Sequence, residues 1–531
     1  MNRHAVSLFV MQCAAALTAT VLSPVTASAE SVLRVGMTAG DIPAWTGQPD
    51  QGYEGYRFVG WNLYDALVNW DLTKPDQEAG LKPGLATKWH VDPDNHKRWL
   101  FTLRKGVKFH DGCELTPELV VWNFQRLMDK SAQGFDPVQF GRMRTRAANI
   151  DRLEAVDAET VAVYTKKMDS FTPFGISNFF MISKCALEKA NWDYEVFART
   201  PAGTGPYRFD KVVPRERLEL TKNPDYWDKD RIPKHDRLVL LPMPEATTRT
   251  AALLSGGVDF IEAPSPDTIP RLTSGGMNIV TNSYPHVWIY QLNMVDPPFS
   301  DARVRQAANH AINRDDVVAM LDGTGEPAYA MMPPRSRYFG NPVKYDFDPE
   351  KATALLKEAN CFPCEVTIAM STAGSGQMQP LPMNELVKSQ LEAVGFKITL
   401  NVMDWNTLFE MSLKGRQAYP EIDAINVSRA PTEPFNGILN FVMKDRFAPA
   451  GRNWGWFSND EINALGDKAM ETFDEAQRDA MVTKIHELTL AQAPMIFVVH
   501  DLNARALSPR LKGFVQAQSW YQDLTPIVVE P

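Results

Sequence analysis

Apolar residues recur along this chain with two periods, one near 3.6 and one of 2, and segments of the two kinds alternate to its end. Thr116-Pro117-Glu118 reads as N-cap, N1 proline and first-turn acid of a helix whose apolar face is Val120, Phe124, Leu127 and Met128. Ser300-Asp301 opens a second helix with Val304, Ala307, Ala308, Ala311 and Ile312 on one side. Asp348-Pro349-Glu350 opens a third, running to Ala359, with Ala352, Leu355 and Leu356 inward. Met383, Leu386, Val387, Leu391 and Val394 mark a fourth, stopped by Gly395. Period 2 appears in Trp99, Phe101 and Leu103 and again in Phe396, Ile398, Leu400 and Val402; Val32 to Met37 and Glu365 to Ala369 read as further strands. Met495 to Val499 is apolar throughout, as expected of a strand buried on both faces. Helix, glycine stop and strand in that order are an α/β building block.

The first thirty residues depart from this pattern. Arg3 and His4 precede an apolar stretch from Ala5 to Leu22, then Pro24 and small residues ending in Ala27-Ser28-Ala29. That order predicts a secretory signal peptide, residues 1–29, cleaved before Glu30. A transmembrane anchor is the competing reading; a polar segment follows directly and no stop-transfer cluster appears. Met11 and Gln12 before Cys13 are too large for a lipoprotein signal, and no later run is apolar enough to span a bilayer.

Composition narrows the classes. The chain carries −9, and residues 1–29 hold one cation, Arg3, and no anion, so the remainder carries −10. An acidic protein of this kind is a poor partner for nucleic acid or anionic headgroups. Thirteen tryptophans argue against disorder, and about 500 residues suffice for two or three domains with proper cores. After the first segment, four cysteines remain: Cys113, Cys185, Cys361 and Cys364. Cys361-Phe362-Pro363-Cys364 follows a helix and precedes a strand, the wrong end for a thioredoxin-type thiolate. A local disulfide between Cys361 and Cys364 is the favoured reading, with free thiols and redox catalysis as alternatives.

The motifs of catalysis are missing. There is no phosphate-cradling G-x-x-x-x-G-K-[ST] loop and no G-x-S-x-G elbow. His486-Glu487 begins a zinc-protease motif, but Leu490 occupies the place of the second histidine, and no cluster has metal-ligand spacing. Carboxylates paired only by folding would escape such a search, so a secreted glycosidase stays a rival reading.

A series of segments resembles one family. Leu85-Ala86-Thr87-Lys88-Trp89 precedes Trp99 to Gly112; then come Gly203-Thr204-Gly205-Pro206-Tyr207, Asn223-Pro224-Asp225-Tyr226-Trp227 and Thr250 to Asp259. Pro298-Phe299, Val304-Arg305-Gln306-Ala307, Ala311 to Arg314, Asp348 to Ala352 and Ala493-Pro494 continue the order. Together they resemble the family 5 extracellular solute-binding proteins of dipeptide, oligopeptide and nickel importers, across essentially the whole chain after residue 29. From the residues alone, most of these segments read as architectural: Gly106 and Gly112 as turns, His110 as a structural hydrogen-bonding group.

The resemblance implies an α/β fold of two lobes joined by a hinge, of the type II periplasmic-binding-protein kind, with an extra subdomain on the first lobe. It places lobe I in residues 30–73, 201–284 and a tail from 498 to 531, the inserted subdomain in 74–200, and lobe II in 285–497. Crossover strands are expected near Tyr284 to Leu292 and Met495 to Asp501. It further implies a periplasmic monomer that takes a small-molecule ligand into the interlobe cleft and passes it to an inner-membrane ABC permease, with no cofactor and no enzymatic step. A peptide or amino-acid-derived ligand is favoured; a metal chelate, an oligosaccharide, or a sensor role are the alternatives.

Site candidates follow from the same likeness. Peptide-binding relatives pair an aspartate of lobe II with the peptide ammonium; matching Val427 to Phe435 on Glu433-Pro434 puts Ala430 there. Arg429, beside it, is a candidate for gripping a carboxylate or phosphate, against a lobe-bracing role. Thr432 shares the segment, and Glu433 is a candidate for an amine, against a plain loop acid. Trp45 and Trp405 are candidates for stacking on ligand, against core packing. From the subdomain come Arg144, of the group Arg142, Arg144 and Arg146, a candidate because relatives that bind anionic chelates use an arginine there, against solvated surface charge, and Asn178 in a phenylalanine-rich loop.

Overall fold

The computed structural model describes residues 30–531 apart from Thr145 and Ser375, so the expected signal peptide lies outside the described residues. Three main sheets organise the rest. A seven-stranded sheet runs in the order Asn278–Val280, Arg505–Leu507, Phe260–Glu262, Val32–Met37, Arg237–Pro242, Arg217–Lys222, Tyr207–Val213. Val32–Met37 lies at its centre, parallel to both neighbours, with Leu33, Val35 and Met37 fully buried. A six-stranded sheet runs Gly325–Pro327, Met495–Asp501, Trp288–Leu292, Ala424–Asn426, Cys364–Ser371, Phe396–Met403. These are the sheets of lobes I and II. A four-stranded antiparallel sheet, Ala86–Asp92, Asn95–Leu103, Thr160–Thr165 and Ile150–Ala155, forms the subdomain.

The periodic segments fold as the elements expected of them. Trp99, Phe101 and Leu103 turn inward from their strand onto Val120 and Phe124 of the helix Pro117–Gln125. That helix is capped by Thr116, whose hydroxyl accepts from the Leu119 amide at 3.3 Å. Asp301 caps Ala302–His310 through the Arg303 amide at 2.8 Å, and Asp348 caps Pro349–Glu358 through the Lys351 amide at 2.9 Å. Each such cap stabilises its helix by about 1 kcal/mol, which fixes where the helices begin. Met495–Asp501 is buried from Met495 through His500, because it is the sheet's second strand and helices cover it. Phe396–Met403 keeps its alternation only in its first half; it is the edge strand, and Asn401 and Val402 are both exposed.

The family-like motifs converge on one buried carboxylate. Asp65 accepts from the Tyr226 hydroxyl at 2.9 Å, the Trp227 indole at 2.9 Å and the Thr204 hydroxyl at 3.0 Å. His110 joins the next layer: its Nδ1 accepts from the Gly203 amide at 3.2 Å and its Nε2 meets the Gly205 carbonyl at 3.0 Å. Burial holds this imidazole down at about 4, so it is neutral and one nitrogen is free to accept. A Cβ on Gly203 would lie 2.0 Å from the Leu63 carbonyl oxygen, so close backbone approach requires glycine there.

Two chain passages join the lobes. Asn278–Val280 pairs with Arg505–Leu507 in lobe I, and further along the same two segments Trp288–Leu292 pairs with Met495–Val499 in lobe II. Between these ladders the Asn282 amide donates to the Leu502 carbonyl, and the Tyr284 hydroxyl donates to Asp501, both at 2.9 Å.

Disulfides join Cys361 to Cys364, and Cys113 to Cys185, 72 residues apart. The chain-entropy model gives about 4 kcal/mol for a loop of the larger size and about 2 kcal/mol for the smaller. Denaturant titration of Cys113→Ser/Cys185→Ser should therefore show the larger loss. Cys361→Ser/Cys364→Ser should cost less and leave ligand affinity unchanged, since Cys364 begins the strand whose far end, Ser371, lies roughly 23 Å away beside the cleft.

Candidate functional site in the interlobe cleft

From lobe I, the helical segments Tyr53–Gly55 and Tyr56–Gly60 bring Tyr53 and Tyr56 to the cleft, the second as a π-helical turn. From the subdomain comes Arg146, in the bend between the helix Pro137–Met143 and the strand Ile150–Ala155. Residues 427–494, which leave and re-enter the six-stranded sheet, supply Arg429, Thr432, Glu433 and Arg452, with a second π-helical turn at Phe435–Leu439. Such turns are rare and concentrate at functional sites, because widening the helix re-aims side chains.

The walls touch. The Tyr53 and Thr432 hydroxyls lie 3.3 Å apart. The Ser170 amide and hydroxyl donate to the Met470 and Ala469 carbonyls at 2.8 and 2.9 Å. A cavity of about 50 Å³ remains between Arg146, Asp169, Phe171, Glu433 and Phe435. With the two walls in direct hydrogen-bonded contact, the lobes here stand closed.

Charge at the cleft is unbalanced. Arg146 donates to the Tyr56 hydroxyl at 2.9 Å, and its guanidinium lies 4.8 Å from that ring's centre. Arg429 is fixed by its backbone, exchanging hydrogen bonds with Val287 at 2.8 and 2.9 Å, and its guanidinium sits 4.7 Å from the Phe441 ring. With the Gln291 amide oriented to satisfy its neighbours, its oxygen accepts from Arg429 Nε at 3.1 Å and its nitrogen donates to the Arg452 carbonyl at 3.3 Å. Burial, and then the charge of Arg452, lower Arg429 to about 9. Burial and Arg146 lower Arg452 to about 10. Both remain cations at neutral pH, pressed together.

Glu433 caps the turn after it, accepting from the Phe435 and Asn436 amides at 2.8 and 2.9 Å. Burial raises its carboxyl to about 7 despite those bonds.

The candidates read from sequence divide into three sets. Arg429, Thr432 and Glu433 come together at the cleft. Asn178 stands behind it, accepting from Tyr521, whose ring lies 6.3 Å from that of Tyr53. Trp405 also stands behind the cleft, its ring 5.7 Å from that of Phe409, which lies 5.4 Å from the Arg452 guanidinium, whereas Trp45 and Arg144 lie elsewhere. Trp45 donates to the Ala198 carbonyl at 2.9 Å and packs into lobe I. Trp405 covers Gly374, where a Cβ would meet its ring at 2.3 Å. Arg144 is exposed, while Arg142 pairs with Asp50 at 3.2 Å. Of that arginine group it is Arg146 that turns inward. Tyr53, Tyr56, Gln291 and Arg452 carried no sequence signal, since an isolated tyrosine or arginine in a loop looks the same in a cleft or on a surface.

Glu433 makes closure pH-dependent. A carboxyl raised in the closed form and ordinary in the open one favours closure fully below the open-state value, about 4.5, and loses that advantage as pH climbs through about 7. Affinity for a ligand retained by the purified protein should weaken by roughly tenfold or more from about pH 5 to about pH 8. Calorimetry across that range should find the slope much reduced in Glu433→Gln.

Comparison with known proteins agrees with this geometry. The model of bacterial extracellular solute-binding proteins, family 5 Middle, matches residues 80–441. Heme-binding protein A of Haemophilus influenzae is 28% identical over 493 residues, covering 88% of this chain and 87% of that protein. The glutathione-binding protein GsiB of Escherichia coli is 27% identical over 452 residues, covering 83% and 84%. The periplasmic binding protein DppA of Helicobacter pylori, solved in complex with the peptide STSA, shares the fold at 24% identity with a TM-score of 0.79, covering 94% of this chain and 99% of that one. With two lobes, a paired-strand hinge and a family match over most of its length, the chain belongs to the family 5 bacterial extracellular solute-binding proteins, the substrate-capturing components of ABC importers.

Proposed function

We propose that this chain works in the periplasm, captures a peptide or amino-acid-derived solute between its lobes, and presents the closed complex to an inner-membrane ABC permease, without chemistry of its own. The observation that carries this reading is the meeting of polar side chains from lobe I, subdomain and lobe II around one point, Tyr53, Arg146 and Thr432 among them. Only a solute touching both walls favours closure, and a permease that reads the closed surface then selects loaded protein. The leader-like residues 1–29 support export. The glutathione-binding relative supports an amino-acid-derived ligand. Plain peptide recognition is less suited: Ala430 offers no carboxylate to an α-ammonium, and Glu433 already accepts two amides.

Native mass spectrometry of protein taken from the periplasm should show one small molecule bound per chain. Stripping it by unfolding and refolding should enlarge the radius of gyration and lower Tm, and returning it should reverse both. At a hundredfold excess over Kd the stabilisation is about 2.7 kcal/mol. Equal radii for loaded and stripped protein would overturn closure as the mechanism.

A further inference from the structure

Most of the buried arginines elsewhere in this protein show what the cleft lacks. Arg57 and Arg505 share Glu262 at 2.6 and 2.9 Å, Arg231 pairs with Asp523 at 2.8 Å, and Arg478 pairs with Asp479 at 2.9 Å. Arg249 and Arg314 have no acid, but backbone carbonyls take their place: four accept from Arg249, and five accept from Arg314. Arg126, also without an acid, is held by the Asn123 and Gln139 amide oxygens at 3.2 and 3.0 Å; Arg429 and Arg452 have neither a carboxylate nor a set of carbonyls. Among the described residues, no carboxylate forms an ion pair with Arg146, Arg429 or Arg452. Arg429 has the Gln291 amide oxygen, Arg146 a neutral hydroxyl, and the buried Nη1 of Arg452 has no partner. Each pair of neighbours repels. Arg429 is buried and Arg146 and Arg452 are half-buried; a buried cation left without a counter-charge costs several kcal/mol, so a closed form that crowds these three together is unfavourable by itself.

Resting on the binding role proposed above, we infer that the cognate solute is a polyanion, with two or more acidic oxygen-bearing groups, carboxylate or phosphate, held by Arg429, Arg452 and Arg146. Arg429 and Arg452 stand on the lobe II side and Arg146 on the subdomain, so an anion bridging them is the element that makes closure favourable. Planar guanidinium forks grip such oxygens in pairs. Three cations exceed the charge of one carboxylate, so a solute with a single acid leaves the site under-neutralised. Phe441 and Phe409, stacked under Arg429 and Arg452 at 4.7 and 5.4 Å, hold both forks in orientation and keep water from their faces.

The test uses the mature chain stripped of ligand, with citrate, glutarate and inorganic phosphate as probes and glutaramide as the neutral control, all at matched ionic strength. Thermal melting should show a saturable rise in Tm with millimolar citrate or glutarate and none with glutaramide. A response to phosphate alone would identify phosphoryl as the group recognised. Arg429→Gln and Arg452→Gln should each weaken carboxylate binding tenfold or more while leaving the probe-free Tm unchanged, and Arg452→Lys should recover part of the loss. Two results overturn the inference. One is a wild-type protein that no anion stabilises beyond sodium chloride; the other is a copurified solute carrying no acidic group. If that solute still compacts the protein, the transport role stands and only the polyanion is wrong; if nothing compacts it, both fall.

Discussion

The cleft's geometry depends on a knot of buried charge at the root of the hinge. Glu262, fully buried on the strand Phe260–Glu262, pairs with Arg57 at 2.6 Å and Arg505 at 2.9 Å, and Glu54 closes the set through Arg57. Arg505 begins the lobe I strand fed by the returning crossover, and Arg57 lies on the turn that carries Tyr53 and Tyr56. The tyrosine wall and one hinge passage are thus tied to the same carboxylate. Burial raises Glu262 and the nearby Glu54 raises it further, while the two arginines oppose both. Removing one member of such a set leaves an uncompensated charge in a dry interior, a loss of about 3–5 kcal/mol. That magnitude ties the lobe I wall firmly to the hinge passage.

A second use of charge contrasts with it. At the hinge root, acids and arginines are matched within the protein; at the cleft, arginines are matched to hydroxyls, an amide and aromatic faces. The first arrangement is complete within the protein. The second stabilises the closed state only when something else supplies negative charge. Most scaffold guanidinium groups are thus neutralised within the protein and those of the cleft are not, Arg126 with its Asn123 and Gln139 partners being the scaffold exception.

The hinge combines strength with freedom for a related reason. Its two passages are paired on both sides, in lobe I by Asn278–Val280 with Arg505–Leu507 and in lobe II by Trp288–Leu292 with Met495–Val499. Between them run short connections outside the ladders, where the Asn282 amide donates to the Leu502 carbonyl at 2.9 Å. A few residues that absorb φ/ψ change between two fixed ladders are what a hinge requires.

Local chemistry made much of this legible in advance. Caps at Thr116, Asp301 and Asp348 and the alternation at Trp99, Phe101 and Leu103 report backbone preference and one-sided burial, which depend on near neighbours in the chain. Arg429, Thr432 and Glu433 could be found because a contiguous segment carries them. The rest of the site could not. Arg146 and Arg144 are two residues apart in one loop, and only the packing against Tyr56 decides that one turns inward and the other meets solvent. Trp45 and Trp405 look alike as ligand-stacking residues, yet Trp45 is turned to the Ala198 carbonyl and Trp405 lies over Gly374 behind Phe409. Arg452 acquires its meaning from Arg429 and Arg146, the latter over 300 positions away, and from acids that fold elsewhere. The sequence by itself determined elements, their ends and the family; whether a guanidinium is neutralised was decided by the tertiary structure, because Coulomb energy and desolvation depend on distance in space.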